Sequence, residues 1–79
     1  MKASDIGLVI WTRQAAKSGH ARELRLAAHM SLDEVGQAMN PPAPRGTIAA
    51  WETSRRTPRA GAAIAYGKVL RALALEVSA

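Results

Sequence analysis

The chain has no cysteine, no phenylalanine and only one tyrosine among its 79 residues. Without cysteine it can form neither a disulfide nor a thiolate metal site, which fits a reducing cytoplasm. Its longest apolar run, residues 6–11, is interrupted by Gly7 and is far too short to span a membrane. The start of the chain lacks the pattern of a signal peptide. We therefore expect a cytoplasmic protein with no membrane partner.

Large side chains are also scarce, because much of the 48% hydrophobic content is alanine. This content is too high for a disordered chain, and 79 residues suffice for one small domain, 1–79, with one modest core. Alanine, leucine and arginine favour helices, whereas runs of β-branched residues are rare. The composition therefore predicts an all-α fold in which thin side chains let the helices pack closely.

Eleven lysines and arginines exceed six aspartates and glutamates, which gives a net charge of +5. A basic excess on a small domain favours polyanionic partners, nucleic acid first, although many small soluble domains carry such a charge. No residue pattern in the sequence indicates a metal site, a phosphate-binding loop or a catalytic site. His20 and His29 have no carboxylates placed for a metal, and the glycines form no phosphate-binding loop. We therefore expect no metal, no cofactor, no small-molecule ligand and no enzymatic activity.

Two helices are predicted before residue 30. The first, within residues 1–17, opens at Ser4, whose hydroxyl can accept from free amides of the first turn. A short strand over residues 6–11 is the alternative. Ser18 and Gly19 break this helix, and the second helix covers residues 20–29. The inward-facing residues are expected to be Ile6, Val9 and Ile10 in the first helix and Leu24, Ala27 and Ala28 in the second.

Three more helices follow. Ser31 and Glu34 have capping-box spacing, so the third helix begins there. The run NPPAP at residues 40–44 must end it, with Asn40 in a left-handed cap and Pro44 in the first turn of the next helix. That fourth helix covers residues 45–54. The last covers residues 60–77, with a bend or break at Gly67 as the alternative to one continuous helix. The expected apolar contacts of these three helices are Leu32, Val35, Met39, Ile48, Trp51, Ile64, Leu70 and Leu73.

Three stretches carry a resemblance: ARELRLAAHMSLDEVGQAM, TIAAWETSRRTP and GAAIAYGKVLRAL. Together they are similar to the Cro/C1-type (XRE) helix-turn-helix family, above all to its small members in actinobacteria and their phages. The likeness covers about residues 18–75, with the helix-turn-helix at residues 31–54, and a looser likeness extends back to Asp5. It implies a lambda-repressor-like five-helix domain with an extra N-terminal helix, in a bacterial or phage-encoded protein.

The resemblance implies that the helix from Arg45 enters the major groove with its first turn facing the bases. A guanidinium can pair with O6 and N7 of guanine, so Arg45 is the best base-contact candidate. Gly46, Ala49 and Ala50 take the other base-facing positions; because they are small, specificity shifts toward Arg45, DNA shape and the N-terminal region. Hydroxyls, cations and free backbone amides would grip phosphates. The phosphate-contacting residues would be Ser31, Thr47, Thr53, Ser54, Arg55, Arg56 and Arg59.

Other residues are implied to hold the scaffold. The family often pairs a glutamate at the position of Glu52 with an arginine on an earlier helix, where Arg25 stands here. Trp51 and Ile48 are expected in the core, and Gly36, which costs about 1 kcal/mol relative to alanine, would allow another helix to approach closely. The Pro-rich turn is slightly longer than the usual family turn, so it either contacts the DNA backbone or changes the tilt of the reading helix.

A homodimer is also expected, since family members commonly pair on half-sites about 34 Å, or one helical turn, apart. The candidate dimer surfaces are Ile6, Val9, Ile10 and Trp11 of the first helix, or Val69, Leu73 and Val77 of the last. The alternative is that both surfaces pack on the motif.

Two functions fit these features. The first is a sequence-specific double-stranded DNA-binding regulator, a Cro-like or immunity-type repressor that acts by occupying its operator. The second is an antitoxin or protein-interaction module that binds a protein through its terminal helices and touches DNA secondarily.

Overall fold

The computed structural model describes residues 1–78, and this range holds five α-helices and no strand. The helices are α1 (Ala3–Ser18), α2 (His20–Ala27), α3 (Leu32–Ala38), α4 (Arg45–Glu52) and α5 (Ala60–Ser78). The all-α prediction is confirmed. The strand alternative for residues 6–11 is wrong, because these residues lie inside α1. No helix in the described range is long and apolar enough to cross a membrane.

The last helix is the centre of the fold, because α1, α2 and α3 all pack against it. Tyr66 and Leu70 of α5 are fully buried. The Tyr66 ring lies 4.8 Å from the Trp51 ring of α4, centroid to centroid, at an interplanar angle of 37°. This aromatic pair anchors α4 in the core, and the predicted core positions of Trp51 and Ile48 are confirmed.

Gly67 lies where α1 crosses α5. A Cβ atom added at Gly67 would overlap Thr12 Oγ1 and lie 2.7 Å from Leu8 Cδ1. The Thr12 hydroxyl donates to the carbonyl oxygen of Leu8 at 2.7 Å, which holds it in this position. The alternative of a break at Gly67 is wrong, because α5 is continuous; the missing side chain lets the two helices approach.

The inward face of α1 differs from the predicted face. Val9 is buried, but Ile6 and Ile10 are each about half exposed, and the inward residues are instead Val9, Thr12, Ala15 and Ala16. Small side chains face the core because α1 packs closely against α5. Ser4 is not the cap: Lys2 is the N-cap residue, without a side-chain hydrogen bond, so Ser4 lies inside the first turn.

The second helix ends two residues earlier than predicted, at Ala27. His29 has a positive φ of 57°, which the helix cannot accommodate. Ala27, which was expected to face the core, is exposed, and Ala21 is buried in the core instead. Leu24 is buried as predicted.

The Pro-rich connection folds back onto α3. A Cβ atom at Gly36 would overlap the carbonyl oxygen of Ala43, and the Ala43 amide donates to the Gly36 carbonyl oxygen at 3.1 Å. The nearest neighbour of Gly36 is therefore the backbone of the connection, and Ile48 Cγ1 of α4 lies 3.6 Å from the added Cβ atom, so the expected approach of another helix is also present. Asn40 has no left-handed conformation; α3 ends because Met39 is extended, with φ −73° and ψ 152°.

Candidate nucleic-acid interface

The fourth helix is anchored on one side and open on the other. Ile48 and Trp51 are buried, whereas Arg45 and Gly46 in its first turn are exposed. Pro44 is the N-cap residue rather than a first-turn residue, and its carbonyl oxygen accepts from the Thr47 amide at 3.0 Å. A partner can therefore reach the first turn of α4 without disturbing the core.

An ion pair joins α2 to α4. Arg25 Nε donates to Glu52 Oε2 at 2.6 Å, and Arg25 Nη2 donates to Glu52 Oε1 at 2.9 Å. Arg25 Nη1 also donates to the Met30 carbonyl oxygen at 3.1 Å. The hydrogen bonds to Glu52 raise the pKa of Arg25 above its ordinary value. The predicted pairing is confirmed, and it fixes the orientation of α4 relative to α2.

The phenol of Tyr66 lies in this buried region. Its hydroxyl has no hydrogen-bond partner within the described part of the chain. Burial, and secondarily the negative charge of Glu52, raises the pKa of Tyr66, so this group stays neutral. Tyr66 therefore contributes its ring to the packing of the core.

The exposed face of α4 is smaller than predicted. Gly46 is open, since an added Cβ atom would have no neighbour within 4 Å, and Ala49 is half-buried. Ala50, however, is only 8% exposed. The chain after α4 folds back here, and the amides of Arg55 and Arg56 donate to the Ala50 carbonyl oxygen at 2.9 and 3.2 Å. The expected base-facing position of Ala50 is therefore wrong, and the accessible candidates are the exposed Arg45 and Gly46 and the half-buried Ala49.

The segment after α4 is held by its own hydrogen bonds. The helix ends at Glu52, not Ser54, and Ser54 has a positive φ of 61°. The Thr53 hydroxyl donates to the Ala49 carbonyl oxygen at 2.8 Å and accepts from Arg55 Nε at 3.2 Å. The amides of residues 53–56 all donate to carbonyl oxygens of α4. The expectation of free amides at residues 53–56 is therefore wrong, and these four residues can offer a phosphate only their side chains.

Four arginines give this surface its charge. Within residues 1–78, none of the four has a carboxylate oxygen within 4.0 Å. From residue 35 to residue 75 the sequence contains one acidic residue, Glu52, and Arg25 already neutralises it. All four side chains are exposed. They are Arg45, Arg55, Arg56 and Arg59.

Thr47 lies between two grooves that three of these arginines line. It is half-buried and lines one groove with Gly46, Arg55 and Arg56, and a second groove with Arg56 and Arg59. The structure thus brings Thr47 and the three arginines after α4 to one surface.

Ser31 lies in a different environment. Its hydroxyl accepts from the Glu34 amide at 3.0 Å, and its own amide donates to Glu34 Oε1 at 2.9 Å, so the predicted capping box is confirmed. These hydrogen bonds lower the pKa of Glu34, which keeps a negative charge in this turn beside Asp33. Two carboxylates make the turn a poor phosphate site, so Ser31 acts as a cap.

Sequence reasoning missed two basic residues near this surface, Arg13 and Lys17. Arg13 Nε of α1 donates to the Pro58 carbonyl oxygen at 3.0 Å, across 45 positions of sequence. Lys17 follows one turn later on the same exposed side of α1. The spacing of four residues was visible in the sequence, but the position of α1 beside residue 58 was not.

No group of three metal-ligating side chains occurs within residues 1–78. Comparison with known proteins gives no match: no family model, no curated protein and no solved structure matches the chain.

Proposed function

We propose that the protein is a sequence-specific double-stranded DNA-binding transcriptional regulator of the lambda-repressor-like class. In this proposal residues 31–54 form a helix-turn-helix, and α4 is the reading helix. The observation that carries the proposal is the exposed first turn of α4 with four exposed arginines on and after it, none of which has a carboxylate within 4.0 Å in residues 1–78. Such a surface suits DNA, whose backbone supplies negative charge and whose major groove admits a helix.

The proposed mechanism divides these arginines between two tasks. Arg45, at the open end of α4, reads a base edge, and a guanidinium pairs best with guanine. Arg55, Arg56 and Arg59 bind phosphates and set the register of α4 in the groove. The Arg25–Glu52 pair and the Trp51–Tyr66 contact hold α4 rigidly, so that little ordering is needed on binding. The regulator would repress as a Cro-like or immunity-type protein does, by occupying its operator.

The test is a fluorescence-anisotropy titration against the DNA that flanks the gene, with scrambled DNA of equal length as the control. Both titrations are run at two salt concentrations. The proposal predicts much tighter binding to the flanking DNA and a steep loss with salt, since about four to six phosphates are neutralised. Equal, weak binding to both DNAs would contradict sequence-specific reading.

We also propose that the regulator binds DNA as a homodimer. Of the two predicted surfaces, Val9 and Leu73 are buried in the chain's own core, and Trp11 is partly covered by the Arg71 guanidinium, 5.1 Å from its ring centroid. Apolar side chains that a second copy could cover are still exposed: Ile6, Ile10, Leu75 and Val77. Light scattering in the presence of operator DNA tests this, and a single 8.4 kDa chain per site would contradict it.

The same exposed apolar residues favour the second candidate function, an antitoxin or interaction module for another protein. It predicts that a protein partner binds through α1 or α5 with higher affinity than any DNA. Charge reversal at Arg55 and Arg56 would leave such binding unchanged, which separates the two candidates.

A further inference from the structure

A basic cleft of about 360 Å³ lies between α1 and the segment that follows α4. Arg13 and Lys17 line it from α1, and Ser54, Arg56 and Thr57 line it from the segment after α4. Among residues 1–78, no acidic residue borders the cleft. Three cations and two hydroxyl side chains around one open space form a site for an anion with several oxygen acceptors.

The Arg13 side chain is held in position at this cleft. Its Nε donates to the carbonyl oxygen of Pro58, a fully buried residue. Within residues 1–78, the two terminal amino groups of Arg13 make no hydrogen bond. They are the donors with which a guanidinium binds a phosphate in a bidentate manner. The Pro58 bond therefore orients Arg13 before any ligand arrives.

Arg56 makes the cleft continuous with the proposed DNA-binding surface. The same side chain borders the cleft, the groove that holds Gly46 and Arg55, and the groove that holds Arg59. The cations of α1 thus extend the basic surface beyond α4. This extension comes from α1, which precedes residues 18–75 and shares only the looser part of the sequence resemblance, which extends back to Asp5.

We propose that this cleft binds one phosphate of the duplex DNA backbone, beside the site that α4 reads. Arg13 and Lys17 of α1 supply the contacts together with Arg56. The inference rests on the proposed function and assigns α1 a part in it. Because phosphate contacts position a protein without reading sequence, the cleft adds affinity and fixes orientation while leaving base preference unchanged.

The test compares the salt dependence of DNA affinity among variants that each remove one positive charge. They are Lys17→Gln, Arg13→Gln and, as the matched control, Lys68→Gln. Lys68 is exposed on α5 and lines a different groove with Met30 and Asn40. The logarithm of the DNA affinity falls linearly with the logarithm of the salt concentration. We expect Lys17→Gln and Arg13→Gln each to make this slope shallower by about 1, and to weaken binding to operator and scrambled DNA equally. Lys68→Gln is expected to leave the slope unchanged.

Thermal unfolding of each variant checks the fold, since Arg13→Gln removes the hydrogen bond to Pro58. Within residues 1–78 the Lys17 side chain makes no such bond, so Lys17→Gln removes the charge without removing a hydrogen bond. Unchanged slopes for both α1 variants, with a lowered slope for Arg55→Gln, would overturn the cleft and leave the proposed function standing. An equal decrease for Lys68→Gln would also overturn it, because the effect would then be general charge. A wild-type protein that binds no DNA would overturn both.

Discussion

Arg25 and Glu52 join α2 to α4 through two parallel hydrogen bonds, with only 12% and 4% of their side-chain surfaces exposed. A buried pair of this kind is costly to break, because the remaining charge stays without a partner. It also ties the orientation of the exposed α4 surface to the rest of the fold.

Replacing one member of this pair is therefore expected to cost more than replacing both. Arg25→Met and Glu52→Leu should each lower the free energy of unfolding by about 3 kcal/mol, because each leaves one buried charge unpaired. The double variant should recover much of this loss. Urea unfolding of the four proteins measures the coupling. A double variant as unstable as the sum of the two single variants would contradict the pairing.

Gly67 is expected to resist substitution although it lies within a helix. Gly67→Ala would push Thr12 and Leu8 of α1 away from α5 and should destabilise the fold by about 2 kcal/mol. The matched control is Gly7→Ala in α1, where an added Cβ atom has no neighbour within 4 Å. That change should stabilise the fold by about 1 kcal/mol through helix propensity. The two denaturation midpoints should therefore move in opposite directions; a shift of both in the same direction would refute the close crossing of α1 and α5.

The capping box at the start of α3 predicts an acid dependence. Folding lowers the pKa of Glu34 below its ordinary value of 4.5, through the bonds with Ser31. The resulting stabilisation is present above pH 4.5 and is lost as the pH falls through the folded-state pKa. The thermal midpoint of the wild type should therefore decrease more on acidification than that of Glu34→Gln, which keeps a hydrogen-bond acceptor without the charge. Parallel decreases for the two proteins would argue against a charged cap.

Arg45 is expected to control base preference. Arg45→Ala should reduce discrimination at one base pair by about ten- to a hundredfold, since a bidentate contact contributes about 1–3 kcal/mol. Arg22→Ala is the control, because Arg22 is an equally exposed arginine on α2. Competition with operators that carry single base-pair changes measures the preference. If Arg45→Ala weakened binding to all DNA sequences equally, Arg45 would contact a phosphate rather than a base.

Local features of the fold were predictable from the sequence. The Ser31–Glu34 capping box depends on residues three apart, and the proline run ends α3 whatever surrounds it. The Arg25–Glu52 pair was predicted from the family resemblance, and the structure contains it. These features depend on spacing or on a shared pattern, and neither requires knowledge of the packing.

Features that depend on packing between distant segments were not predictable. In an alanine-rich helix several faces have similar hydrophobicity, so the exposure of Ile6 and Ile10 could not be read from periodicity. The burial of Ala50 depends on amides of residues 55 and 56 folding back onto its carbonyl oxygen. The Arg13–Pro58 contact likewise depends on where α1 lies.

The most direct measurement is an NMR titration of the isotopically labelled protein with the DNA that flanks its gene. We expect amide and arginine side-chain signals to change at residues 45–49 and 53–59, and at Arg13 and Lys17, while Ser31 changes little. Changes confined to Ile6, Ile10 and Leu75, or no changes at all, would contradict DNA binding through the α4 surface.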